Sequence, residues 1–362
     1  MRLPTYQDLS REQDKINNLP LDASHVVIGP PGTGKTVMAL YRAEMLSDEG
    51  EKAFLLMYSN LLSQYTSSAV DELGIDGMVK TFHKWFYGFW KSTYRCNPPQ
   101  LAEYQFDWHE ILRTLLHKPP RAQSLANLII DEGQDLSKEF FMLARHLAKH
   151  VTVFCDENQR LKEHEHSTIE DIRQAVDVAK VHLLTKNYRN TKEIAALAAH
   201  FYTGLPSGIP KPPTRSGARP VVYHFPRLYE TVDFIARYER NNDDKQIAVL
   251  VPSNKLREKF VNRLTGKTKN AVQTYYSKCP DPVDFDEPGI AVISYMSAKG
   301  LEFDTVFIPE LQAMDRDLAS PESRMMFYVL LSRAREELVL TYSGEGRPAC
   351  LSALPKDLLE WR

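Results

Sequence analysis

Several things this chain of 362 residues lacks narrow its class at once. Cysteine is scarce: Cys96, Cys155, Cys279 and Cys350 lie far apart, so they form neither a disulfide framework nor a metal-ligand pair and read as reduced thiols. No apolar run is long enough to span a bilayer, and the opening MRLPTYQDLS has no apolar signal core. The expectation is therefore a cytoplasmic protein without a membrane partner. An excess of one charge is missing too. Lys plus Arg (45) nearly balances Asp plus Glu (47), for a net charge of −2, which excludes a histone-like arm but leaves room for a local basic groove. No internal sequence repeat is visible. A hydrophobic content of 43% with 25% charged residues is that of a globular protein, not a disordered one. The length is too great for one ordinary core and suits two domains.

What is present is an alternation of short β-type runs with amphipathic helical ones. HVVIG, KAFLLMYS, ANLIID, VTVFCD and VHLLT read as strands of a mainly parallel sheet with helices on both faces. The pattern restarts after residue 190 with PVVYHF, QIAVLVP, GIAVISY, DTVFIPE and ELVLTY, with helices at Leu228–Arg240 and Ser253–Leu264. This predicts two α/β domains of similar size, residues 1–186 and 187–362. Between them GLPSGIPKPPTRSGARP is a loop by composition, and its Lys211, Arg215 and Arg219 suit either solvent or a phosphate backbone. In TFHKWFYGFWKSTYR, residues Phe82, Trp85, Phe86, Phe89 and Trp90 recur at helical spacing. That pattern predicts a helix face buried in a core, with base stacking as the functional alternative.

The stretch VIGPPGTGKT carries the first chemistry. Gly29, Pro30, Pro31, Gly32, Thr33, Gly34, Lys35 and Thr36 follow an apolar strand and open a helix. The glycines let successive N–H groups turn toward phosphate oxygens. Lys35 adds a point charge, Thr36 a hydroxyl for Mg²⁺, and the helix aims its positive end at the same anion. In LIIDEGQDLS, Asp131 and Glu132 fall at a strand's carboxyl end, the edge where the phosphate loop also sits. Asp131 suits Mg²⁺ held through water, and Glu132 suits activation of an attacking water. The pair points to hydrolysis. Further markers follow in order: Asp156 and Gln159 in TVFCDENQRL, Tyr188 and Arg189 in NYRN, Lys299, Gly300 and Glu302 in SAKGLEF, and Arg333 in FYVLLSRAREEL.

With those residues in line, the chain resembles the UvrD/Rep-type superfamily 1 DNA helicases from Gln13 in SREQDKI to SRAREELVL. The resemblance implies tandem RecA-like domains of the P-loop NTPase class that bind ATP and Mg²⁺ and track along single-stranded DNA. It assigns Gln13 to adenine, Asp131, Glu132 and Asp135 to the Asp-Glu-x-x-Asp signature, and Gln159 to sensing the γ-phosphate. Tyr188 would stack on adenine, Glu302 would hold ribose, and Arg189 and Arg333 would be the two arginine fingers. Lys-Gly-Leu-Glu-Phe favours DNA over RNA as the track. Asn60, Thr81 and His83 would touch the strand, although Thr81 and His83 equally suit capping of the next helix.

Three departures stand out. The large accessory insertions of that family are missing. RLKEHEHSTIED follows Gln159 without the usual stacking aromatics, leaving Tyr58, Trp85 or Tyr87 for that task. Met296 stands where a histidine is common. His164 and His166 read as solvated loop residues more readily than as metal ligands. The expectation is an ATP-dependent 3′→5′ translocase or helicase whose two domains close on nucleotide. The alternative is a nucleotide-gated ATPase subunit of a repair or defence complex, relying on a nuclease or accessory partner for its DNA grip.

Overall fold

The computed structural model describes the chain except residues 2, 104, 160–166, 205–207, 277–281, 315–317 and 319. His164, His166 and Cys279 therefore lie outside the described residues. The chain forms two compact units. One comprises Met1–Gly29 and Gly34–Leu184; the other comprises Pro30–Thr33 and Thr185–Arg362. Each is a RecA-like α/β unit. Among the described residues no helix is long and apolar enough to cross a membrane.

The first unit is built on β1 (His25–Ile28), β2 (Ala53–Met57), β3 (Val79–Thr81), β6 (Leu125–Ile130), β7 (Ala148–Cys155) and β8 (Val181–Leu183), with β4 (Gln100–Ala102) and β5 (Gln105–Phe106) as a separate antiparallel ribbon. The six-stranded sheet has the order β3-β2-β6-β7-β1-β8, with every pair parallel. All four residues of β1 are buried, as befits a central strand covered on both faces. The helices are α1 (Arg11–Asn17), α2 (Lys35–Asp48), α3 (Asn60–Tyr65), α4 (Ser67–Glu72), α5 (Phe82–Tyr94), α6 (Trp108–His117), α7 (Lys138–Leu147) and α8 (Ile169–Val176). Their starts are written in the sequence. Ser137 accepts from Phe140 N–H to begin α7, and Thr168 and Asp171 form a reciprocal capping box on α8.

The aromatic stripe of α5 faces the core. Phe82, Trp85, Phe86 and Trp90 are buried, and Phe82, Phe86, Phe106 and Phe140 interlock largely edge to face. Truncating such a ring costs about 3–5 kcal/mol, so this face has a structural task. Trp85 is only 6% exposed, which removes it from the candidates for base stacking; Tyr58 and Tyr87 are half-buried.

The second unit carries β9 (Val221–Phe225), β10 (Gln246–Val251), β11 (Val272–Thr274), β12 (Gly289–Ser294), β13 (Phe303–Ile308), β14 (Ala334–Ser343) and β15 (Glu360–Trp361). The helices are α9 (Lys192–His200), α10 (Leu228–Asn241), α11 (Asn254–Leu264) and α12 (Pro321–Leu331). Its sheet runs β11-β12-β10-β13-β14-β9-β15, again all parallel. Strand by strand, β12-β10-β13-β14-β9-β15 repeats β3-β2-β6-β7-β1-β8 in both chain order and position, with β11 added at the edge. Two halves without visible sequence repetition thus share one topology.

Candidate active site

In a parallel sheet all carboxyl ends lie on one edge, and in the first unit that edge collects the polar residues. After β1 comes Gly29, then the loop to Gly34, then α2. Gly34 sits at φ +89°, a backbone conformation that favours glycine, while a Cβ there would meet only the movable end of the Gln13 side chain, 2.6 Å away. Lys35 is buried; its Nζ donates to the Gly29 carbonyl (2.5 Å) and lies 3.9 Å from Asp156 Oδ2. The Thr36 hydroxyl donates to Asp131 Oδ2 (2.7 Å), joining the helix to the end of β6.

Asp131 and Glu132 are both buried, and Glu132 adopts the left-handed conformation (φ +54°), uncommon for a residue with a side chain. Burial pushes the Asp131 carboxyl up, and the adjacent Glu132 carboxylate pushes it further. The Thr36 hydroxyl and Lys35 ammonium act in the opposite sense. A hydroxyl and a buried carboxylate in contact form an oxygen-only donor set of the kind Mg²⁺ accepts. The burial cost on the ionised carboxylate would be relieved by a cation there. Thr36 and Asp131 therefore fit the metal.

At the end of β7, Asp156 accepts from Gln159 Nε2 on one oxygen (2.8 Å) and from Asn158 N–H on the other (3.0 Å). Gln159 is buried within this turn. Gln134, fully buried, ties the two strand ends together: its Nε2 donates to Glu132 Oε2 (2.5 Å), and its Oε1 accepts from Asp156 N–H (2.9 Å). Sequence reading passed over Gln134 because it occupies an unspecified position between Glu132 and Asp135. Gln13 is buried on α1, where its Oε1 accepts from Ser10 N–H in a capping box. Its amide is thus already engaged in starting the helix while lying against Gly34.

The strand candidates sit on the same edge, on the β2–β3 side. Asn60 is exposed at the first position of α3, after β2. Thr81 ends β3 and precedes α5 without a side-chain capping bond. His83 stacks on Phe106 at 5.6 Å and meets Tyr58 edge-on.

In the second unit, Pro30, Pro31, Gly32 and Thr33 associate with the segment that starts at Thr185: Thr33 Oγ1 donates to the Pro30 carbonyl, and Tyr188 N–H to the Gly32 carbonyl. The Tyr188 ring is 40% exposed, with Lys186 Nζ 5.1 Å from its centre, so one flat surface is presented. Arg189 pairs with Glu302 (Nε to Oε2, 2.5 Å), bringing together two residues expected to hold different parts of a nucleotide. Arg333 lies between α12 and β14 with 1% exposure. Its guanidinium donates to the carbonyls of Val329 and Leu301 and to Ser332 Oγ. Arg215, from the basic loop, donates to the carbonyls of Arg189 and Arg335 and so braces that segment.

Comparison with known proteins bears on both units. An AAA domain matches residues 13–165, and a UvrD-like helicase C-terminal domain matches residues 289–341. A protein of Acanthamoeba polyphaga mimivirus named as an ATP-dependent DNA helicase, R568, is 30% identical over 209 residues, covering 51% of this chain and 29% of that protein. ATP-dependent DNA helicase UvrD1 of Mycobacterium tuberculosis is 31% identical over 103 residues, covering 23% of this chain and 13% of that protein. This chain spans less than a third of the length of either. Among solved structures, the C-terminal domain of a possible DNA helicase from Lactobacillus plantarum aligns at a TM-score of 0.37 with 22% identity, over 48% of this chain and 98% of that one.

Proposed function

From the premise that this chain belongs to the UvrD-like helicases, we propose that it hydrolyses ATP with Mg²⁺ at the carboxyl edge of its first sheet and so moves 3′→5′ along single-stranded DNA. The observation that carries this reading is the contact of the Thr36 hydroxyl with the buried Asp131 carboxylate, beside Lys35 and Glu132. In this reading Gly29 through Gly34 wrap the phosphates and Lys35 neutralises them. Thr36 and Asp131 would hold the Mg²⁺, which when bound would supply charge withdrawal from the phosphate oxygens. Glu132 takes the proton of the attacking water, and Gln159 orients that water against the γ-phosphate. Gln13, Tyr188 and Glu302 serve the adenosine part.

Arg189 and Arg333 act as fingers on the γ-phosphate, and their engagement closes the two units on the nucleotide. Arg189 then exchanges Glu302 for phosphate, which frees the carboxylate for a sugar hydroxyl. Asn60, Thr81 and His83 contact the strand. The burial of Trp85 favours a second reading, a nucleotide-gated subunit that borrows its DNA grip from a nuclease or accessory protein.

Steady-state ATPase rates with no nucleic acid, single-stranded DNA, duplex DNA and RNA test the proposal. The expected result is a rate raised most by single-stranded DNA and falling with salt as phosphate contacts are lost. A rate indifferent to every nucleic acid overturns it in favour of the partner-dependent reading. An oligonucleotide-length and polarity series on single strands tests the direction.

A further inference from the structure

We propose that the first unit carries a docking groove for a protein segment in which a bulky apolar side chain is flanked by acidic ones. The groove has a volume of about 330 Å³ and lies between α5 and the amino ends of β2 and β6. Trp85 and Phe89 line it from α5, Phe54 and Leu125 from the sheet, and Leu147 from the end of α7. Phe54, Phe89 and Leu125 are only half-buried, so the lining is apolar yet open to solvent. None of these residues belongs to the nucleotide motifs, and the inference stands apart from the ATPase reading.

Two features separate this groove from an ordinary surface hollow. The first is Gly88, exposed in the middle of α5 and part of the lining. A Cβ there would meet nothing within 4 Å, so packing inside the protein does not call for glycine. A glycine within a helix weakens it. What Gly88 provides is room, because the α5 backbone is bare where a side chain from another chain could lie. The second feature is charge. Lys80 and Lys84 also line the groove, and Lys84 shares one side of α5 with Gly88, a turn away. Lys80 Nζ stands 4.6 Å from the centre of the Phe54 ring. Among the described residues neither lysine has a carboxylate partner, and no acidic side chain lines the groove. An apolar slot with two unpaired ammonium groups beside it complements a bulky apolar residue set between carboxylates.

A nucleic-acid strand also combines negative charge with flat rings, but the groove suits it poorly. Bases stack on free ring faces, whereas Trp85 is buried and its ring lies parallel to that of Phe89, 5.6 Å apart. Two lysines also make no track for a phosphate backbone. The candidates for the strand, Asn60, Thr81 and His83, stand at or after the carboxyl ends of β2 and β3, while Phe54 and Leu125 stand at the amino ends of β2 and β6.

The test pans a phage-displayed library of random peptides against the full chain. The expected recovery is peptides centred on Phe, Trp, Leu or Met with Asp or Glu on either side. The most enriched peptide, labelled with fluorescein, is then titrated by anisotropy against the wild type and variants. Gly88→Met, whose side chain would fill the groove, is expected to weaken binding at least about tenfold while keeping the melting temperature. Lys80→Glu combined with Lys84→Glu is expected to weaken it as much, and panning against that double variant to recover Lys or Arg in place of the acidic flanks. The double variant serves if Gly88→Met fails to fold. No enrichment, enrichment without acidic flanks, or binding that Gly88→Met leaves unchanged overturns the inference. So does a loss in these variants of single-stranded DNA binding, or of self-association in sedimentation, with no peptide recovered by the wild type. The first would give the groove to nucleic acid and the second to another copy of this chain. ATP turnover does not enter the readout, so failure here leaves the functional reading standing.

Discussion

At the end of β6 the chain reads Asp131-Glu132-Gly133-Gln134; at the end of β13 it reads Pro309-Glu310-Leu311-Gln312. Both glutamates are buried and left-handed, at φ +54° and +58°, and both lead into a short 3₁₀ turn. In each, the glutamine two residues on holds the glutamate and accepts the N–H at the end of the adjoining strand, Asp156 after β7 or Ser343 closing β14. The backbone device belongs to the fold, and what surrounds it decides its use. Glu310 receives the Thr231 hydroxyl on one oxygen, with Gln312 and the Ser343 hydroxyl on the other, so its charge is met by hydrogen bonds. Position 309 is proline, which offers no carboxylate where Asp131 offers one. Gln312 is exposed, whereas Gln134 is wholly buried.

The comparison breaks most sharply at the glutamates. Glu132→Gln should bind ATP yet lose about 10²–10⁴ in kcat, the usual share of a general base. Glu310→Gln should keep kcat within about twofold while lowering the melting temperature. ATPase rates and a fluorescent-nucleotide titration on both variants check this, and equal losses would erase the distinction between the turns.

The position between glutamate and glutamine separates the turns by volume. A Cβ on Gly133 would stand 2.4 Å from a Val153 methyl, while Leu311 fills the corresponding place and is completely buried. Leu311→Ala should cost about 2–5 kcal/mol by opening a cavity. Gly133→Ala should cost about 1–3 kcal/mol by overpacking. Urea unfolding of both variants measures the difference, and a Gly133→Ala change without cost would show that the turn tolerates a side chain. The smallest expected effect is that of Ser343→Ala, about 1 kcal/mol from one lost hydrogen bond to Glu310, with ATPase activity unchanged.

The strand alternation in the sequence anticipated β1, β2, β6, β7 and β8 in the first sheet and β9, β10, β12, β13 and β14 in the second; apart from β8, which lies at an edge, these are interior strands, which need continuous apolar runs. The other edge strands, β3, β11 and β15, are two or three residues long and only partly buried, and they were not legible. The α5 stripe was legible as core because helical spacing repeats over three turns. The site was legible where a motif has a fixed spacing, as in Gly29 through Thr36 or Asp131-Glu132. Gln134 was not, since its partner Asp156 is brought near only by the pairing of β6 with β7. Nor was the enclosure of Arg333, which depends on carbonyls of Val329 and Leu301 gathered from two different segments. The shared Glu-x-Gln device is two letters long and invisible until both sheets are laid strand on strand.

One consequence concerns stoichiometry. β9 occupies in the second sheet the place that β1 holds in the first, yet only Pro226 and Arg227 separate β9 from α10, where β1 is followed by Gly29 through Gly34. Two residues cannot wrap a triphosphate, and the proline among them has no N–H to offer a phosphate oxygen. Among the described residues, the duplicated architecture therefore offers such a loop after β1 and not after β9. On the proposed reading, titration calorimetry with a non-hydrolysable ATP analogue should return one nucleotide per chain, so that one fuel molecule would serve each cycle and the second unit would respond to it; two per chain would overturn this count.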